Sequence, residues 1–398
     1  MPLMTTSFAS KRVAAMPDSV FAVMDAAKRE LRAAGRTPID LSIGSTDLPP
    51  PPAALDAIAA AAHDPTAHGY TLHAATAPLR EAAVAWYADR YGIALDADAE
   101  ALVTIGGQEA FAHLLFAVAD PGDAVLLPEP GYPSWFGAVA LAGLERVALP
   151  LRPENRFLPD LAAVPTDAAA RAKVLVLSYP SNPTAALAPA SFFADAVAFA
   201  EAHDLLVVHD FPYVDLVFDG GDAPSALAAP GGRERVVELY TLSKSFHMPG
   251  YRIGFALGHP GALAALAKAK GAIDFNAWRG IQRGAVAALA TPRERLRADA
   301  EVYRGRRDAL VDALNAAGVP TERPEASMYV WTRLPGGAQD SVAAALALLR
   351  ATDVAVAPGV GFGASGEGWM RFALVRDEAT LRDAARRIGD AAPDLAGL

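Results

Sequence analysis

Between residues 100 and 260, short hydrophobic runs alternate with longer stretches that have a helical period. The runs are apolar at nearly every position, which is typical of parallel strands covered by helices on both faces. They read ALVTI, AVLLP, KVLVLSY, LLVVHD and VVELYTL. Helical stretches such as QEAFAHLLFAVA and SFFADAVAFAEAHD lie between them. This order predicts an α/β fold with a large, doubly wound, mostly parallel sheet.

The pattern differs on both sides of this region. Residues 18–35, DSVFAVMDAAKRELRAAG, predict an amphipathic helix with a capping residue at its start and Gly35 at its end. The run LPPPP at residues 48–52 predicts an extended loop between structural regions. After residue 290, a long charged helix, the strands SMYVWTRL and WMRFALV, and a last helix predict a smaller α+β domain. We therefore expect a large domain at residues 48–290 and a small domain from residues 1–47 and 291–398.

Composition and charge narrow the class of protein. With 398 residues, 53% hydrophobic and 20% charged, the chain indicates a packed globule. A formal charge of −10 without a Lys/Arg cluster argues against nucleic-acid binding. The absence of cysteine excludes disulfides, thiolate catalysis and cysteine-ligated metals. No apolar run approaches the ~18 residues of a membrane span, and MPLMTTSFASKR lacks a signal-peptide core, so we expect a cytoplasmic protein.

Polar residues follow four of the predicted strands. The sets are Gly106, Gly107 and Gln108 after the first strand, Asn182 after KVLVLSY, Asp210 at the end of LLVVHD with Tyr213 three residues on, and Ser243 with Lys244 after VVELYTL. Doubly wound sheets bind ligands at the carboxyl ends of their parallel strands. Any one of these positions is explained by the polar character of loops, but four on one edge predict a single pocket.

The residue types in this pocket indicate its ligand. A glycine-rich turn that opens a helix suits a phosphate, as do the hydroxyls of Thr241 and Ser243 and the charge of Arg252. A carboxylate, a tyrosine and an amide suit a heteroaromatic ring with a basic nitrogen and a phenolic oxygen. A desolvated lysine near other cations becomes a nucleophilic amine, which we expect of Lys244. Phosphate, ring and amine together predict pyridoxal 5′-phosphate held as a lysine Schiff base.

Several motifs also resemble one known family. The segment YTLSKSFHMPGYRIG resembles the lysine signature of class I/II aminotransferases of the aspartate aminotransferase fold. GGQEAF, PEPGYPSW, YPSNPTA, HDFPYVDLVFDG and RFALV occur in the family's order and spacing. In the motif HDFPY, Phe–Pro stands where family members frequently have Glu followed by another residue. In this respect the chain resembles the subgroup of alanine and LL-diaminopimelate aminotransferases. The resemblance covers residues 20–390 and implies a fold type I enzyme whose large domain binds the cofactor and whose small domain closes over the substrate.

The resemblance implies roles for the residues around the cofactor's ring. Lys244 would form the Schiff base and later move a proton between the substrate and the cofactor. Asp210 would pair with the pyridine nitrogen and keep it protonated. Asn182 and Tyr213 would bind the phenolic oxygen, and Tyr132 would stack on the ring. Lys244, Asp210 and Tyr213 are thus the expected catalytic residues.

The resemblance also implies residues for the phosphate and the substrate. The phosphate would be held by Gly107, Gln108, Thr241, Ser243 and Arg252. Tyr70 would reach the phosphate of a neighbouring subunit, which implies a homodimer with shared sites. Arg371 would bind the substrate α-carboxylate in bidentate fashion, with Asn182 and Gly44 beside the substrate. Ala75 stands where the family commonly has glycine, so the loop from Tyr70 to Pro78 is expected to take its own course.

The expected function is amino-group transfer from an amino acid to a 2-oxo acid, with 2-oxoglutarate as the expected acceptor. Diaminopimelate or its N-succinyl form, alanine, and aspartate are candidate donors. One alternative is a pyridoxal-phosphate-dependent Cβ–Sγ lyase of the same fold. The other is a non-catalytic aminotransferase-like sensor. The sensor is disfavoured because only about twenty residues precede the first predicted helix, too few for a DNA-binding domain.

Three other signals have plain explanations, and a fourth has two interpretations. GVGFGASGEG at residues 359–368 matches a dinucleotide loop in composition, but it precedes a strand instead of a helix. His63, His68 and His73 are five residues apart and would not share a helical face, which disfavours a metal site. Ser243–Lys244 lacks the oxyanion-hole loop and third partner that a hydrolase needs. Arg279 is either a surface charge or a residue that binds an acidic substrate side chain in the partner's site.

Overall fold

A computed structural model describes residues 8–16, 19–395 and 397–398. Within these ranges, seven strands form the main sheet in the order β2-β8-β7-β6-β5-β3-β4. Six of the seven point the same way, and β8 is antiparallel to both of its neighbours. Their bounds are β2 Ala101–Thr104, β3 Ala124–Glu129, β4 Glu145–Pro150, β5 Ala172–Leu177, β6 Leu206–Asp210, β7 Val236–Thr241 and β8 Gly254–Gly258. The predicted doubly wound α/β fold is confirmed, and its five predicted strands are β2, β3, β5, β6 and β7.

Helices cover both faces of this sheet. The helices of the part that the structure describes are α1 Lys11–Ala14, α2 Val20–Ala33, α3 Pro52–Ala62, α4 Ala77–Tyr91, α5 Gly107–Val118, α6 Pro133–Ala142, α7 Thr166–Arg171, α8 Ala190–Ala202, α9 Gly232–Arg235, α10 Pro260–Ile273, α11 Arg279–Leu289, α12 Arg293–Ala316, α13 Ser341–Thr352 and α14 Glu378–Ala391. Val174 and Val176 pack toward α5, α6 and α10, while Leu175 and Leu177 pack toward α4 and α8. Successive side chains of a strand point to opposite faces, so a strand covered on both sides must be apolar throughout.

Strands β4 and β8 were not among the predicted strands. β4 lies at the edge of the sheet, and its residues alternate between exposed and more buried positions, so it lacks a continuous apolar run. β8 begins and ends with glycine, a weak strand former. A Cβ at Gly254 would lie 2.3 Å from the carbonyl oxygen of Tyr240, so glycine is needed for β8 to approach β7.

A second hydrophobic core lies around the chain's last third. Strands β9 Tyr329–Arg333, β11 Ala357–Pro358 and β12 Trp369–Ala373 form a three-stranded sheet, and β1 Ile39–Asp40 pairs with β10 Val354–Ala355. Residues of α2, α12, α13 and α14 pack on these strands in one buried cluster. The predicted strands SMYVWTRL and WMRFALV correspond to β9 and β12. The domain bounds, which include undescribed residues 1–7, 17–18 and 396, remain a prediction.

Two of the predicted boundaries shift by a few residues. Asp18, at the start of the first predicted helix, lies outside the described residues, and Ser19 caps α2 by accepting from the Ala22 amide at 3.3 Å. The extended proline run ends at Pro51, because Pro52 occupies the first turn of α3, where a missing amide proton costs nothing. No helix within the described ranges has the length and apolar character needed to span a membrane.

Candidate active site

A cavity of about 480 Å³ opens at the carboxyl edge of the parallel strands. Twelve of the thirteen predicted site residues line it: Gly44, Gly107, Gln108, Tyr132, Asn182, Asp210, Tyr213, Thr241, Ser243, Lys244, Arg252 and Arg371. They lie at or after the ends of β1, β2, β3, β5, β6 and β7, just before β8, and within β12. The structure therefore brings the predicted residues of distant segments into one site, except Tyr70.

Lys244 lines this cavity. β7 is fully buried and ends at Thr241, so the turn that follows carries the lysine to the sheet's edge. Lys244 Nζ donates a hydrogen bond to the carbonyl oxygen of Gly44 at 2.6 Å and lies 5.7 Å from the centre of the Tyr213 ring. Among described residues, Lys244 forms no ion pair with a carboxylate. A partly buried amine without a counter-charge is suited to act as a nucleophile or a base.

Asp210 ends β6, the strand next to β7, and lines the same cavity. Its Oδ2 accepts a hydrogen bond from Trp135 Nε1 at 3.2 Å. Burial raises the pKa of Asp210 to about 6, although the Trp135 hydrogen bond and the charges of His209 and Lys244 act to lower it. A cationic partner placed against this carboxylate would restore its ionised form. Asp210 therefore suits a protonated ring nitrogen.

The end of the cavity near α5 is built for an anion. Helix α5 begins at Gly107, so the amides of its first turn lack helical partners and point outward. The hydroxyls of Thr241 and Ser243 lie 2.9 Å apart on the same side. A Cβ at Gly106, whose φ is 106°, would lie 2.5 Å from Arg252 Nη2, so glycine leaves the space that the guanidinium occupies. Amides, hydroxyls and a guanidinium together suit a phosphate.

Arg371, on β12, provides a buried cation in the cavity wall. Its side chain is 4% exposed, with Nη1 donating to Asn182 Oδ1 at 2.7 Å and Nη2 to the Ser42 carbonyl oxygen at 2.6 Å. Its Nε has no hydrogen-bond partner within the described part of the chain. Burial lowers the pKa of Arg371, and no carboxylate among the described residues pairs with it. Because a buried, unpaired guanidinium is costly, this site favours a carboxylate ligand.

Tyr329 was missed by the sequence reasoning. Its ring lies 4.2 Å from the guanidinium carbon of Arg371, and its hydroxyl lies 3.1 Å from that of Tyr213. Burial raises the pKa of Tyr213; at Tyr329 burial acts in the same direction, but the charges of Lys244 and Arg371 outweigh it and lower the pKa. A Cβ at Gly44 would lie 1.9 Å from the Tyr329 hydroxyl oxygen, which explains the glycine.

Other lining residues were also missed. They are Phe21, Ser42, Ile43, Pro133, Ser134, Ser178, Pro212 and Pro249. Trp135 belongs to one of the family motifs, but no role toward Asp210 was predicted for it. These residues lack a distinctive sequence signal, since each enters the site through the packing of distant segments.

Tyr70 and Arg279 lie away from the cavity of their own chain. Tyr70 is 78% exposed, and its ring packs against Phe275 with centroids 5.0 Å apart. Arg279 donates to the carbonyl oxygens of Thr66 at 2.8 Å and Tyr70 at 3.3 Å, so within this chain it holds the loop that carries Tyr70. Ala75 lies in a 3-10 turn, His73–Thr76, where its amide donates to the Leu72 carbonyl oxygen at 2.9 Å.

The remaining motifs resolve as ordinary structure. Residues 359–368 form two 3-10 turns that lead into β12, so they do not form a strand–loop–helix nucleotide site. Among described residues, the potential metal ligands that lie close together are Glu109, His113 and Asp274. Lys270 Nζ already donates to Glu109 at 3.0 Å and to Asp274 at 3.1 Å. The charged side chain of Lys270 therefore occupies the position between these carboxylates that a metal ion would take.

Comparison with known proteins gives a consistent result. Residues 36–388 match the model of the family described as aminotransferase class I and II. The chain is 40% identical to the LL-diaminopimelate aminotransferase of Gloeobacter violaceus, over 95% of this chain and 96% of that protein. It is also 40% identical to the glutamate–pyruvate aminotransferase AlaC of Escherichia coli, over 95% and 92%. A solved structure of a probable N-succinyldiaminopimelate aminotransferase from Thermus thermophilus superposes with a TM-score of 0.90 and 50% identity, covering 94% of this chain and all of that one.

Proposed function

Because the chain belongs to the class I and II aminotransferase family and is an aminotransferase, we propose that it uses pyridoxal 5′-phosphate in the cavity around Lys244. We propose that its amino donor is a diaminopimelate-type amino acid or alanine and that 2-oxoglutarate is its acceptor. The observation that best supports this cofactor is that Lys244, Asp210 and the anion site beside α5 lie in one cavity.

The residues present fit this cofactor. The group, when bound, supplies an aldehyde that combines with amines and a ring that accepts the electron pair left at the substrate's Cα. The first-turn amides of α5, with Thr241, Ser243 and Arg252, would hold its phosphate. Asn182 and Tyr213 would bind its phenolic oxygen, and Tyr132, which lines the same cavity, would stack on its ring.

Lys244 and Asp210 would divide the proton chemistry. Lys244 Nζ would bind the cofactor's aldehyde and, once a donor amine displaces it, would remove the proton from the substrate's Cα. The Gly44 carbonyl oxygen, 2.6 Å from Nζ, would keep this amine directed at the substrate. Asp210 would hold a proton on the ring nitrogen, because the buried carboxylate is stable as an anion only beside a cation.

Arg371 would select α-amino acids by their carboxylate. Its free Nε and the neighbouring Nη groups offer donors in a rigid fork, and the Tyr329 ring and Asn182 hold the guanidinium in place. Phe362 lies on the guanidinium as well, with 4.7 Å between the ring centre and Cζ. These contacts would hold the substrate carboxylate in one position relative to Lys244.

A donor panel tests the proposal. We expect LL-diaminopimelate, its N-succinyl derivative, L-alanine and L-aspartate to differ in the rate at which each converts the enzyme-bound cofactor to its amine form, with one of the first three fastest. Added 2-oxoglutarate should then restore the aldehyde form and yield glutamate. If none of the four donors changes the bound cofactor, the proposed function is wrong.

A Cβ–Sγ lyase would give a different result. It would release pyruvate continuously from cystathionine without a 2-oxo acid acceptor. A non-catalytic sensor would bind a donor without producing any 2-oxo acid. Measuring how many equivalents of 2-oxo acid form per active site, with and without an acceptor, therefore separates all three functions.

We also propose that two copies of the chain form the working enzyme. Large apolar side chains are exposed on adjoining segments that include Tyr70, Leu72, Ile273 and Phe275. Asn276 Nδ2 donates to the Thr71 carbonyl oxygen at 3.2 Å and, with Arg279, ties these segments together. A rigid, exposed tyrosine on an apolar surface suits contact with a second copy, where Tyr70 would reach the neighbouring phosphate.

Hybrid dimers test this sharing of sites. Lys244→Ala and Tyr70→Ala proteins would be unfolded and refolded as a mixture. A hybrid then has one site with both lesions and one site with neither. Unbiased association gives about half hybrids, so roughly a quarter of wild-type activity should return. If mass analysis shows hybrids but activity stays at the parental level, Tyr70 does not serve the neighbouring site.

A further inference from the structure

A second cavity, of about 540 Å³, adjoins the proposed active site. The two cavities share Phe21, Gln108, Pro133 and Ser134 as walls, so the second begins where the first ends. Its remaining lining is mostly small or apolar and includes Ala112 of α5. An amino acid held by Arg371 would therefore find additional space for a long side chain beyond the walls formed by Phe21, Pro133 and Ser134.

Arg146 is the charged residue among the described residues that line this second cavity. It belongs to β4 and its side chain is 43% exposed. Its guanidinium carbon lies 5.1 Å from the centre of the Phe136 ring, and Nη1 lies 3.4 Å from Glu129 Oε2. These two contacts hold the guanidinium at the wall of the cavity.

The hydrogen-bonding capacity of Arg146 is nevertheless unused. Within residues 8–16, 19–395 and 397–398, its guanidinium donates no hydrogen bond, and the 3.4 Å contact with Glu129 is an ion pair only. Glu129 is buried and does not line the cavity; its Oε1 accepts from the Ser365 amide at 3.0 Å. A guanidinium held at a cavity wall with free donors is suited to bind a carboxylate.

We propose that the second cavity is a side-chain subsite and that Arg146 binds the distal carboxylate of a long amino donor. This inference rests on the proposed function and narrows its substrate class to α-amino acids with a second carboxylate several carbons from Cα. Short diacids such as aspartate would place their second carboxylate within the first cavity and would not use Arg146. Alanine would use neither the subsite nor its charge.

Two matched donors isolate the role of the charge. L-2-aminopimelate and L-2-aminoheptanoate have the same seven-carbon chain, but only the first ends in a carboxylate. We would measure kcat/KM for both and for L-alanine, with 2-oxoglutarate as the acceptor. Wild-type enzyme should prefer 2-aminopimelate over 2-aminoheptanoate, and Arg146→Met should lower kcat/KM for 2-aminopimelate about fivefold to tenfold, or ~1–1.4 kcal/mol. Values for 2-aminoheptanoate and alanine should change less than about twofold, since a partly exposed ion pair is modest and specific to charge.

Further variants separate a binding role from a structural one. Arg146→Lys should recover part of the preference, because it restores the charge without the planar fork. Arg171→Met is the control, since Arg171 has a similarly exposed side chain (48%), pairs with Glu145 of the same strand β4, and does not line the cavity. Ala112→Phe should fill the subsite and reduce kcat/KM for both seven-carbon donors while sparing alanine.

The outcomes separate this inference from the proposed function. If wild-type enzyme transfers amino groups but Arg146→Met leaves the ratio of the two seven-carbon donors unchanged, the subsite is wrong and the proposed function stands. The same holds if Ala112→Phe affects alanine as strongly as the long donors. If no donor reacts with wild-type enzyme, the proposed function itself fails.

Discussion

The substitution Gly44→Ala tests how tightly the substrate end of the cavity is packed. The new Cβ would lie 1.9 Å from the hydroxyl oxygen of Tyr329 and 2.6 Å from Cζ of its ring. Gly44 is not among the residues with positive φ, so any effect comes from sterics and not from the backbone conformation. Ordinary contact requires a displacement of about 1–1.5 Å, since carbon and oxygen atoms rarely approach closer than ~3.4 Å.

Tyr329 cannot move aside without a loss of folding free energy. It is 2% exposed and lies between Tyr213 and Arg371. Overpacking of this kind destabilises a protein by about 1–3 kcal/mol. At ~2.1 cal/mol/K per residue, a chain of 398 residues has an unfolding entropy of about 0.8 kcal/mol/K, so Tm should fall by about 1–4 °C.

The effect on activity should be larger than the effect on stability. Moving Tyr329 displaces Arg371, and moving the Gly44 backbone displaces the carbonyl oxygen that Lys244 Nζ contacts. A displacement of about 1 Å in a reacting geometry costs roughly 100-fold, so kcat/KM for the preferred donor should fall by about that factor. Steady-state kinetics and differential scanning calorimetry on the same preparation measure both quantities.

A control and a partial rescue complete the experiment. A Cβ added at Gly271, in α10, would have no atom within 4 Å, so Gly271→Ala should leave activity unchanged and raise Tm slightly. Adding Tyr329→Phe to Gly44→Ala removes the closest clash and should recover part of the Tm. If the Gly44→Ala variant keeps the wild-type kcat/KM and Tm, Gly44 does not pack against Tyr329 as tightly as the structure indicates.

Three further predictions concern single residues. Lys244→Ala should lower transamination by at least about a thousandfold, because no other lysine among the described residues lines the cavity and could take the Cα proton; near-native turnover would contradict the assignment. Asp210→Asn should lower the rate at saturating cofactor by about 100-fold or more. Because burial raises the Asp210 pKa to about 6, the buried carboxylate costs stability above that pH in cofactor-free protein, so this variant should unfold at higher urea than wild type at pH 8 and show little difference near pH 4. Tyr329→Phe keeps the ring over Arg371 but removes the hydroxyl that contacts Tyr213, so kcat should fall about fivefold to tenfold with donor KM within twofold; an equal rise in KM would place its role in carboxylate binding instead.

The sheet and much of the candidate site could be predicted because their signals are local. A buried parallel strand is a continuous apolar run, and a polar residue directly after it, such as Asp210 or Lys244, must lie at the sheet's edge. Arg371 lies within a strand of a different sheet, so only the family resemblance predicted its arrival beside Asn182. β4 escaped prediction because an edge strand with an exposed side does not need a continuous apolar run.

Other features depend on contacts between segments far apart in the chain. Tyr329 follows a run of small and apolar residues and gives no sign that it meets Gly44, 285 positions earlier, or Tyr213. Trp135 has the character of a core aromatic until the fold places its indole N–H against Asp210. From the sequence, Arg279 could be either a surface charge or a substrate ligand. Its hydrogen bonds to the loop of Tyr70 could not be predicted, because they depend on how two segments about 210 residues apart pack together.

Amino-group transfer at this site is tested most directly by following the amino nitrogen itself. Enzyme loaded with pyridoxal 5′-phosphate would be given an α-¹⁵N-labelled donor and 2-oxoglutarate, and the products would be analysed by mass spectrometry. We predict that the label appears in glutamate in an amount equal to the 2-oxo acid formed from the donor, and that Lys244→Ala produces neither. Label recovered as free ammonia, with more than one equivalent of 2-oxo acid per active site formed in the absence of 2-oxoglutarate, would show elimination or oxidation and would contradict amino-group transfer at this site.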